Sequence, residues 1–166
     1  MYAAKIIIVE TVKEITKLEV NNQFRQKNSA YQSVEVIVIE DNQLTNMMMR
    51  KALVSTINTI QKLKNINIEF SYFHKGQDFL NYFENKDFTD LKLIVFSDFF
   101  LEDKMDGGEI LRVIKHKKAD ATVVIVSDTT NPQIPVDVIN MGAYRFIPKS
   151  NNSPVFCAEL LFQKVG

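Results

Sequence analysis

The stretch Leu-Lys-Leu-Ile-Val-Phe-Ser-Asp, residues 91–98, decides the fold class of this chain. Its near-continuous apolar character is typical of a central strand that is covered on both faces of a parallel sheet. The run ends on the carboxylate of Asp98. Open α/β sheets place their ligand sites at the carboxyl ends of such strands. Three other strand-like runs end on polar groups too: VIVIED on Glu40 and Asp41, TVVIVS on Ser127, and YRFIPK on Lys149.

Strands and helices alternate along the rest of the chain, because apolar residues with helical spacing separate the strand-like runs. Since crossovers between parallel strands are right-handed, five such units predict a doubly wound α/β sheet with helices on both faces. The first helix is expected to bury a face that carries Met49, Leu53, Ile57 and Ile60. Strands are predicted at residues 34–40, 66–73, 91–97, 122–126 and 144–147, and the later helices at 76–84, from 107, at 134–141 and at 155–165.

The bulk composition excludes several classes of protein. With 166 residues, 46% of them apolar, the chain has the size of one domain with a substantial core. Lys+Arg and Asp+Glu both number 20, so no net field would recruit nucleic acid or an anionic membrane. The single cysteine, Cys157, excludes an intramolecular disulfide and fits a reducing compartment. No apolar run approaches the ~18 residues that span a bilayer, so we expect a cytoplasmic protein.

Residues 1–33 do not join the alternating pattern. Residues 5–10 look like a strand, whereas residues 21–33 are polar and typical of a linker. We therefore predict an N-terminal extension over residues 1–33, either an accessory strand or helix or a partly disordered arm. The folded domain is predicted to occupy residues 34–166.

The acids at the ends of two predicted strands form a candidate metal site. If those strands are adjacent, Glu40, Asp41 and Asp98 converge at one edge of the sheet. Three carboxylates in such proximity repel one another, so a cation must balance them. Hard oxygen ligands favour Mg²⁺, which keeps water molecules that a phosphate can displace. Each acid alone would be a solvated strand end or a helix N-cap, the latter for Asp41 in particular.

Ser127 and Lys149 supply the other groups of a phosphate site. A lysine ammonium can pair with a carboxylate at rest and with a phosphoryl oxygen afterwards, and a serine hydroxyl can donate to another oxygen. Separately, Ser127 would be a turn residue and Lys149 an ordinary surface lysine. Together with the acids, they indicate a carboxylate that accepts phosphate rather than a hydrolytic triad.

These motifs resemble the receiver domain of two-component response regulators over residues 34–165. VIVIEDNQLTNMMMRKAL is similar to the first strand and helix of that family with its acidic pair. LKLIVFSDFFLEDKMDGGEIL is similar to its phosphoacceptor strand, acidic loop and following helix. VVIVSDTTNPQIPVDVINMGAYRFIPKS is similar to the segment that carries its serine or threonine, its switch aromatic and its lysine.

The resemblance implies a flavodoxin-like, five-stranded parallel sheet of order 2-1-3-4-5. It also implies that Asp98 is the phosphoacceptor, with Lys149 contacting the phosphoryl group. Mg²⁺ or Mn²⁺ would be held by Glu40, Asp41 and Asp98, directly or through water, together with the backbone carbonyl of Phe100. The phosphoryl donor would be a phosphohistidine of a histidine kinase or of a histidine phosphotransfer protein.

The same resemblance implies a switch. Ser127 and Phe146 would form the switch pair, which reshapes the surface formed by residues 134–165. Tyr144, Arg145 and Val155 are expected to be exposed there and to contact a downstream protein or a second copy of the chain.

Three departures from the family pattern are present. Receiver domains often carry a proline four residues after the acceptor and a glycine eight after it, where this chain has Glu102 and Asp106. The loop is therefore expected to be one residue longer. A small residue usually follows the switch hydroxyl, and here that residue is Asp128. Glu102, Asp103, Asp106 and Asp128 would add negative charge beside the site.

The separation between Asp41 and Asp98 is also long for the family. It predicts either an extended first helix or a longer loop near residues 85–90.

The leading interpretation is a single-domain receiver, a signalling phosphoacceptor whose only catalysis would be its own phosphotransfer and dephosphorylation. One alternative is a pseudo-receiver, a protein-interaction module of the same fold that is never phosphorylated. Another is a small flavodoxin-like enzyme or nucleotide-binding protein, although no glycine-rich phosphate loop follows the first strand.

Overall fold

The computed structural model describes residues 33–102 and 105–165 of the chain, so residues 1–32 of the predicted N-terminal extension and Asp103 lie outside the described residues. Parallel β-strands alternate with α-helices through these residues, as the sequence predicts. The elements are β1 Ser33–Ile39, α1 Gln43–Lys64, β2 Asn67–Phe73, α2 Gly76–Asn85, β3 Leu91–Asp98, α3 Gly107–Lys117, β4 Thr122–Ser127, α4 Gln133–Asn140, β5 Arg145–Pro148 and α5 Ser153–Val165.

The strands form one parallel sheet of order β2-β1-β3-β4-β5, which confirms the predicted doubly wound architecture. β3 lies at the centre, between β1 and β4. The register pairs Ile39 of β1 with Ser97 of β3, and Asp98 of β3 with Val126 of β4. The residues that follow β1, β3, β4 and β5 therefore meet at one edge of the sheet.

Each face of the sheet is covered by its own layer of helices. Val36 and Val38 of β1 pack in one apolar cluster with α1 and α5, whereas Ile37 and Ile39 pack in the opposite cluster with α2, α3 and α4. This double coverage is the reason that the central strands are apolar at successive positions rather than at alternate ones. The predicted apolar face of α1 is buried as expected: Met49, Leu53, Ile57 and Ile60.

Helix α1 is long, with 22 residues, and its length accounts for the wide separation of the two acidic motifs in the sequence. Asn42 caps its amino end, since Asn42 Oδ1 accepts a hydrogen bond from the Thr45 amide at 3.0 Å. Asn65 ends the helix in the left-handed conformation, with φ of 51°. The alternative interpretation of Asp41 as the N-cap is therefore wrong, because the residue after it has that role.

Helix α3 begins against the backbone that follows the central strand. The Gly107 amide donates to the Phe99 carbonyl at 2.7 Å. A Cβ atom at Gly107 would lie 2.6 Å from the carbonyl oxygen of Asp98, a distance that no side chain tolerates. Gly107 stands nine residues after Asp98, so this close approach falls one position later than the family pattern places its glycine.

The one cysteine of the chain is a core residue. Cys157 is fully buried on α5, and burial raises the pKa of its thiol to about 12. No helix among the described residues is both long enough and apolar enough to cross a membrane.

A buried carboxylate at the amino end of β1 was not foreseen from the sequence. Glu35 has no exposed surface, and Lys86 Nζ lies 2.8 Å from Glu35 Oε2 and 2.8 Å from Glu69 Oε2. The hydroxyls of Ser71 and Tyr82 both donate to Glu35 Oε1. Burial lowers the pKa of Lys86, but its hydrogen bonds to Glu35, Glu69 and Tyr82 outweigh burial and raise that pKa overall.

We predict that Lys86→Met lowers the free energy of unfolding by roughly 3 kcal/mol, because it leaves Glu35 buried without a counter-charge. Urea unfolding at neutral pH measures the loss. Because the folded-state pKa of Lys86 is raised, this stabilisation is fully present below the ordinary lysine pKa and disappears as pH rises through the folded-state value.

The matched control is Lys62→Met on the exposed surface of α1, which should change the free energy of unfolding by less than about 0.5 kcal/mol. Adding Glu35→Gln to Lys86→Met should recover part of the loss, because the unpaired charge is then gone. Equal stability of the Lys86→Met variant and its control would show that the network contributes nothing.

Candidate functional site

Three carboxylates meet at the carboxyl edge of the sheet, where the strand-end positions place them. One oxygen each from Glu40, Asp41 and Asp98 lies within 4.8 Å of the others. Glu40 and Asp98 are buried, with 3% and 5% of their surface exposed, and Asp41 is partly exposed. Three hard oxygen donors at this spacing fit a divalent cation such as Mg²⁺. Their role as metal ligands stays a prediction.

One ammonium group serves two of these acids. Lys149 Nζ lies 2.6 Å from Asp98 Oδ2 and 2.9 Å from Glu40 Oε2. The backbone of Lys149 continues the pairing of β5 with β4, since its amide donates to the Ser127 carbonyl at 2.8 Å. This backbone pairing therefore positions the side chain of Lys149 next to Asp98 and Glu40.

Burial of the cluster shifts the pKa values of its acids and of its lysine. Burial raises the pKa of Asp98 and of Glu40, although hydrogen bonds from Lys149 oppose that increase for both. Burial lowers the pKa of Lys149, but hydrogen bonds to Asp98 and Glu40 outweigh it, so the pKa of the lysine is raised overall. The site therefore has the features of one that gains from additional positive charge.

Hydrogen bonds hold both oxygens of Asp98 in place. Oδ1 accepts from the amides of Phe99 at 2.6 Å and Phe100 at 3.3 Å, while Oδ2 accepts from Lys149. Phe100, whose carbonyl the resemblance assigns to the metal, thus lies on the loop directly after Asp98, with its ring half exposed. That assignment of the carbonyl remains a prediction.

The loop after β1 is pinned by a residue that sequence reasoning missed. Asn46, 2% exposed, donates from its side-chain amide to the Glu40 carbonyl at 3.0 Å. The Asn42 amide donates to Glu40 Oε1 at 3.2 Å. Asn46 stands three residues before Met49, in phase with the buried face of α1. A polar residue within an apolar helical stripe was the signal that could have identified it.

Ser127 stands at the end of β4 with an unused hydrogen-bonding group. It is 1% exposed, and its Oγ has no hydrogen-bond partner among residues 33–102 and 105–165. A buried hydroxyl without a partner is costly, so the atom is available for a ligand that enters the site. Phe146, the other member of the predicted switch pair, is partly buried against the α2–α4 layer.

The acids that depart from the family pattern differ in what they contact. Glu102 is exposed, and its amide donates to Asp41 Oδ2 at 2.7 Å. Asp128 is exposed directly after Ser127. Asp106 instead caps α3, because its Oδ1 accepts from the Glu109 amide at 2.8 Å. The carboxylate of Asp106 thus has a structural partner at the start of α3, its contribution of negative charge to the site stays a prediction, and Asp103 lies in the undescribed part of the loop.

Comparison with known proteins identifies the family. The family described as the response regulator receiver domain matches residues 36–160. No sequence among curated proteins matches this chain.

Solved receiver domains share the fold at low sequence identity. The BeF3-activated receiver domain of DrrB, a Thermotoga maritima protein, is 20% identical at a TM-score of 0.59, covering 78% of this chain and 95% of that one. A response regulator receiver domain protein from Clostridium thermocellum is 16% identical at a TM-score of 0.64, covering 80% and 94%. The Mn(2+)-bound form of the response regulator Rcp1 is 16% identical at a TM-score of 0.56, covering 78% and 89%.

We predict that Asp98→Asn raises the free energy of unfolding by about 1 kcal/mol at neutral pH without metal. The reason is that the Lys149 ammonium then neutralises one buried carboxylate, that of Glu40, instead of two. The folded-state pKa of Asp98 is raised, so its charge lowers stability as pH rises through that value. Urea unfolding at about pH 4 and about pH 8 measures both effects.

The matched control is Asp90→Asn, an exposed acid just before the amino end of β3. It should change the free energy of unfolding by less than about 0.5 kcal/mol. A destabilised Asp98→Asn variant would contradict the view that the cluster lacks positive charge.

Proposed function

The chain belongs to the response regulator receiver domain family, and we propose that it accepts a phosphoryl group on Asp98 from a phosphohistidine. The observation that carries this proposal is the set of buried groups around that carboxylate. Asp98 faces the Lys149 ammonium at 2.6 Å, and the Ser127 hydroxyl is buried without a partner. A phosphoryl group on Asp98 would give both of them an oxygen to bind.

In the proposed reaction an oxygen of Asp98 forms the new bond to phosphorus while the bond from phosphorus to the histidine nitrogen breaks. Lys149 would move part of its contact from Asp98 to a phosphoryl oxygen, and Ser127 Oγ would donate to another. Glu40, Asp41, Asp98 and the Phe100 carbonyl would hold Mg²⁺ or Mn²⁺. When bound, that ion supplies positive charge to the phosphoryl oxygens.

Histidine kinases or histidine phosphotransfer proteins would supply the phosphoryl group. We place the reaction in the cytoplasm because the one cysteine is a free, buried thiol. The output would be a protein partner or a second copy, bound through residues 134–165. On that surface Tyr144 is 48% and Val155 52% exposed, and Arg145 is exposed as well.

Treatment of the protein with phosphoramidate and Mg²⁺ is expected to add the mass of one phosphoryl group, as measured on the intact chain. Asp98→Asn should add none, because the amide lacks the nucleophilic oxygen. Asp90→Asn should behave as the wild type does. Omission of Mg²⁺, or Asp41→Asn, should slow the gain at least about tenfold. A wild-type chain that never gains the mass would support the pseudo-receiver alternative.

Beryllofluoride with Mg²⁺ is expected to change backbone amide chemical shifts in residues 134–165 as well as in the loops near Asp41 and Asp98. The reason is that recruitment of Ser127 would free space for the ring of Phe146, and the altered ring position would reshape the neighbouring surface. Ser127→Ala should keep the local changes and lose the distant ones. Changes confined to the loops in the wild type would defeat the proposed switch.

A further inference from the structure

Two exposed carboxylates stand on opposite sides of the acidic site. Glu102 lies on the β1 side, where its amide contacts Asp41 at 2.7 Å. Asp128 lies on the β4 side, directly after Ser127, and β4 pairs Val126 with Asp98. Neither carboxylate forms an ion pair within residues 33–102 and 105–165. We refer to Glu102 and Asp128 as the mouth acids.

Glu102 also lines a cleft of about 450 Å³ that opens next to the site. The other lining residues are Asp41, Gln43, His74 and Lys75. Because Asp41 belongs to both the cleft and the carboxylate cluster, a leaving group that departs toward the cleft would pass Glu102.

The charges around the entrance are mainly negative. Among the described residues, the cluster and the mouth acids contribute five carboxylates, whereas the ammonium groups that contact the cluster or line the cleft are those of Lys149 and Lys75. A divalent cation in the cluster would still leave an excess of negative charge. This field opposes any anion in proportion to its negative charge, so it opposes a donor that brings in and releases an extra negative charge more than one whose leaving group is protonated.

Phosphoryl donors differ in the charge of the group that leaves. With an acyl phosphate such as acetyl phosphate, the bond from phosphorus to oxygen breaks and its electron pair leaves on a carboxylate anion. With phosphoramidate or a phosphohistidine, the bond from phosphorus to nitrogen breaks. The nitrogen group is already protonated in the reactive form, so ammonia or imidazole leaves uncharged. In both cases an oxygen of Asp98 forms the new bond.

We propose that the mouth acids select nitrogen-linked phosphoryl donors over acyl phosphates. The inference rests on the proposed phosphoacceptor function and names the donor class for the same site. The buried Ser127 hydroxyl has no partner among the described residues and is available to a phosphoryl oxygen. Because both donor classes present the same phosphoryl group, discrimination between them falls on the leaving group.

The experiment compares initial rates of phosphorylation by acetyl phosphate and by phosphoramidate, at fixed Mg²⁺ and ionic strength, for the wild type and for E102Q/D128N. Removing each mouth acid should raise the rate with acetyl phosphate about two- to fivefold. The rate with phosphoramidate should stay within about twofold. The control is D90N, which removes one carboxylate beyond the opposite end of β3, as each single mouth-acid substitution does at the site, and should leave the ratio of the two rates unchanged.

The outcomes separate this inference from the proposed function. If the ratio of the acetyl phosphate rate to the phosphoramidate rate rises in E102Q/D128N and not in D90N, the inference is supported. Equal acceleration with both donors, or no acceleration with either, overturns it while the phosphoacceptor function stands. If neither donor phosphorylates the wild type, the proposed function and the inference both fail. Thermal melting of each variant verifies that the fold is intact.

Discussion

The arrangement of the site depends on one ammonium group that stands between two buried carboxylates. Lys149 lies within 3.0 Å of both Glu40 and Asp98, which end or follow neighbouring strands. Without the lysine, like charges at that depth would repel each other and at least one would have to bind a proton. With it, both stay close while the cluster remains short of positive charge. A site of this kind is stable enough to form and still favours binding of a cation.

Contacts with the surrounding backbone hold the three carboxylates and Lys149 in this arrangement. The absence of a Cβ at Gly107 lets α3 begin in contact with the backbone of Asp98. Asn46 holds the Glu40 carbonyl from within α1, and the Glu102 amide holds Asp41. Each contact joins a loop at the edge of the sheet to a helix or to another loop. The carboxylates are thereby fixed by backbone geometry rather than by their own side-chain preferences.

Sequence patterns predicted the sheet and the strand ends because apolar periodicity is a local property. The site followed from them, since parallel strands that end on polar residues bring those residues to one edge. Asn46 and the ion pair of Glu35 with Lys86 could not be found this way. Each is a polar residue whose partner is defined only once the chain is folded, and for Glu35 that partner is 51 residues away, as the two residue numbers show. The capping role of Asn42 was missed because Asp41 beside it is an equally good cap by residue type.

Strand β1 carries a buried carboxylate near each end, and the contrast between them separates structure from function. Glu35 forms an ion pair with Lys86 and accepts hydrogen bonds from two hydroxyls, and the second acid on that lysine, Glu69, is half exposed to water. Glu40 shares its single lysine with an acid that is itself buried. Burial and an ion pair are common to both clusters, so neither property identifies a functional site. The difference is that the second acid on Lys149 is itself withdrawn from water, which leaves one buried negative charge uncompensated at the carboxyl edge of the sheet, where we propose that a cation and a phosphoryl group bind.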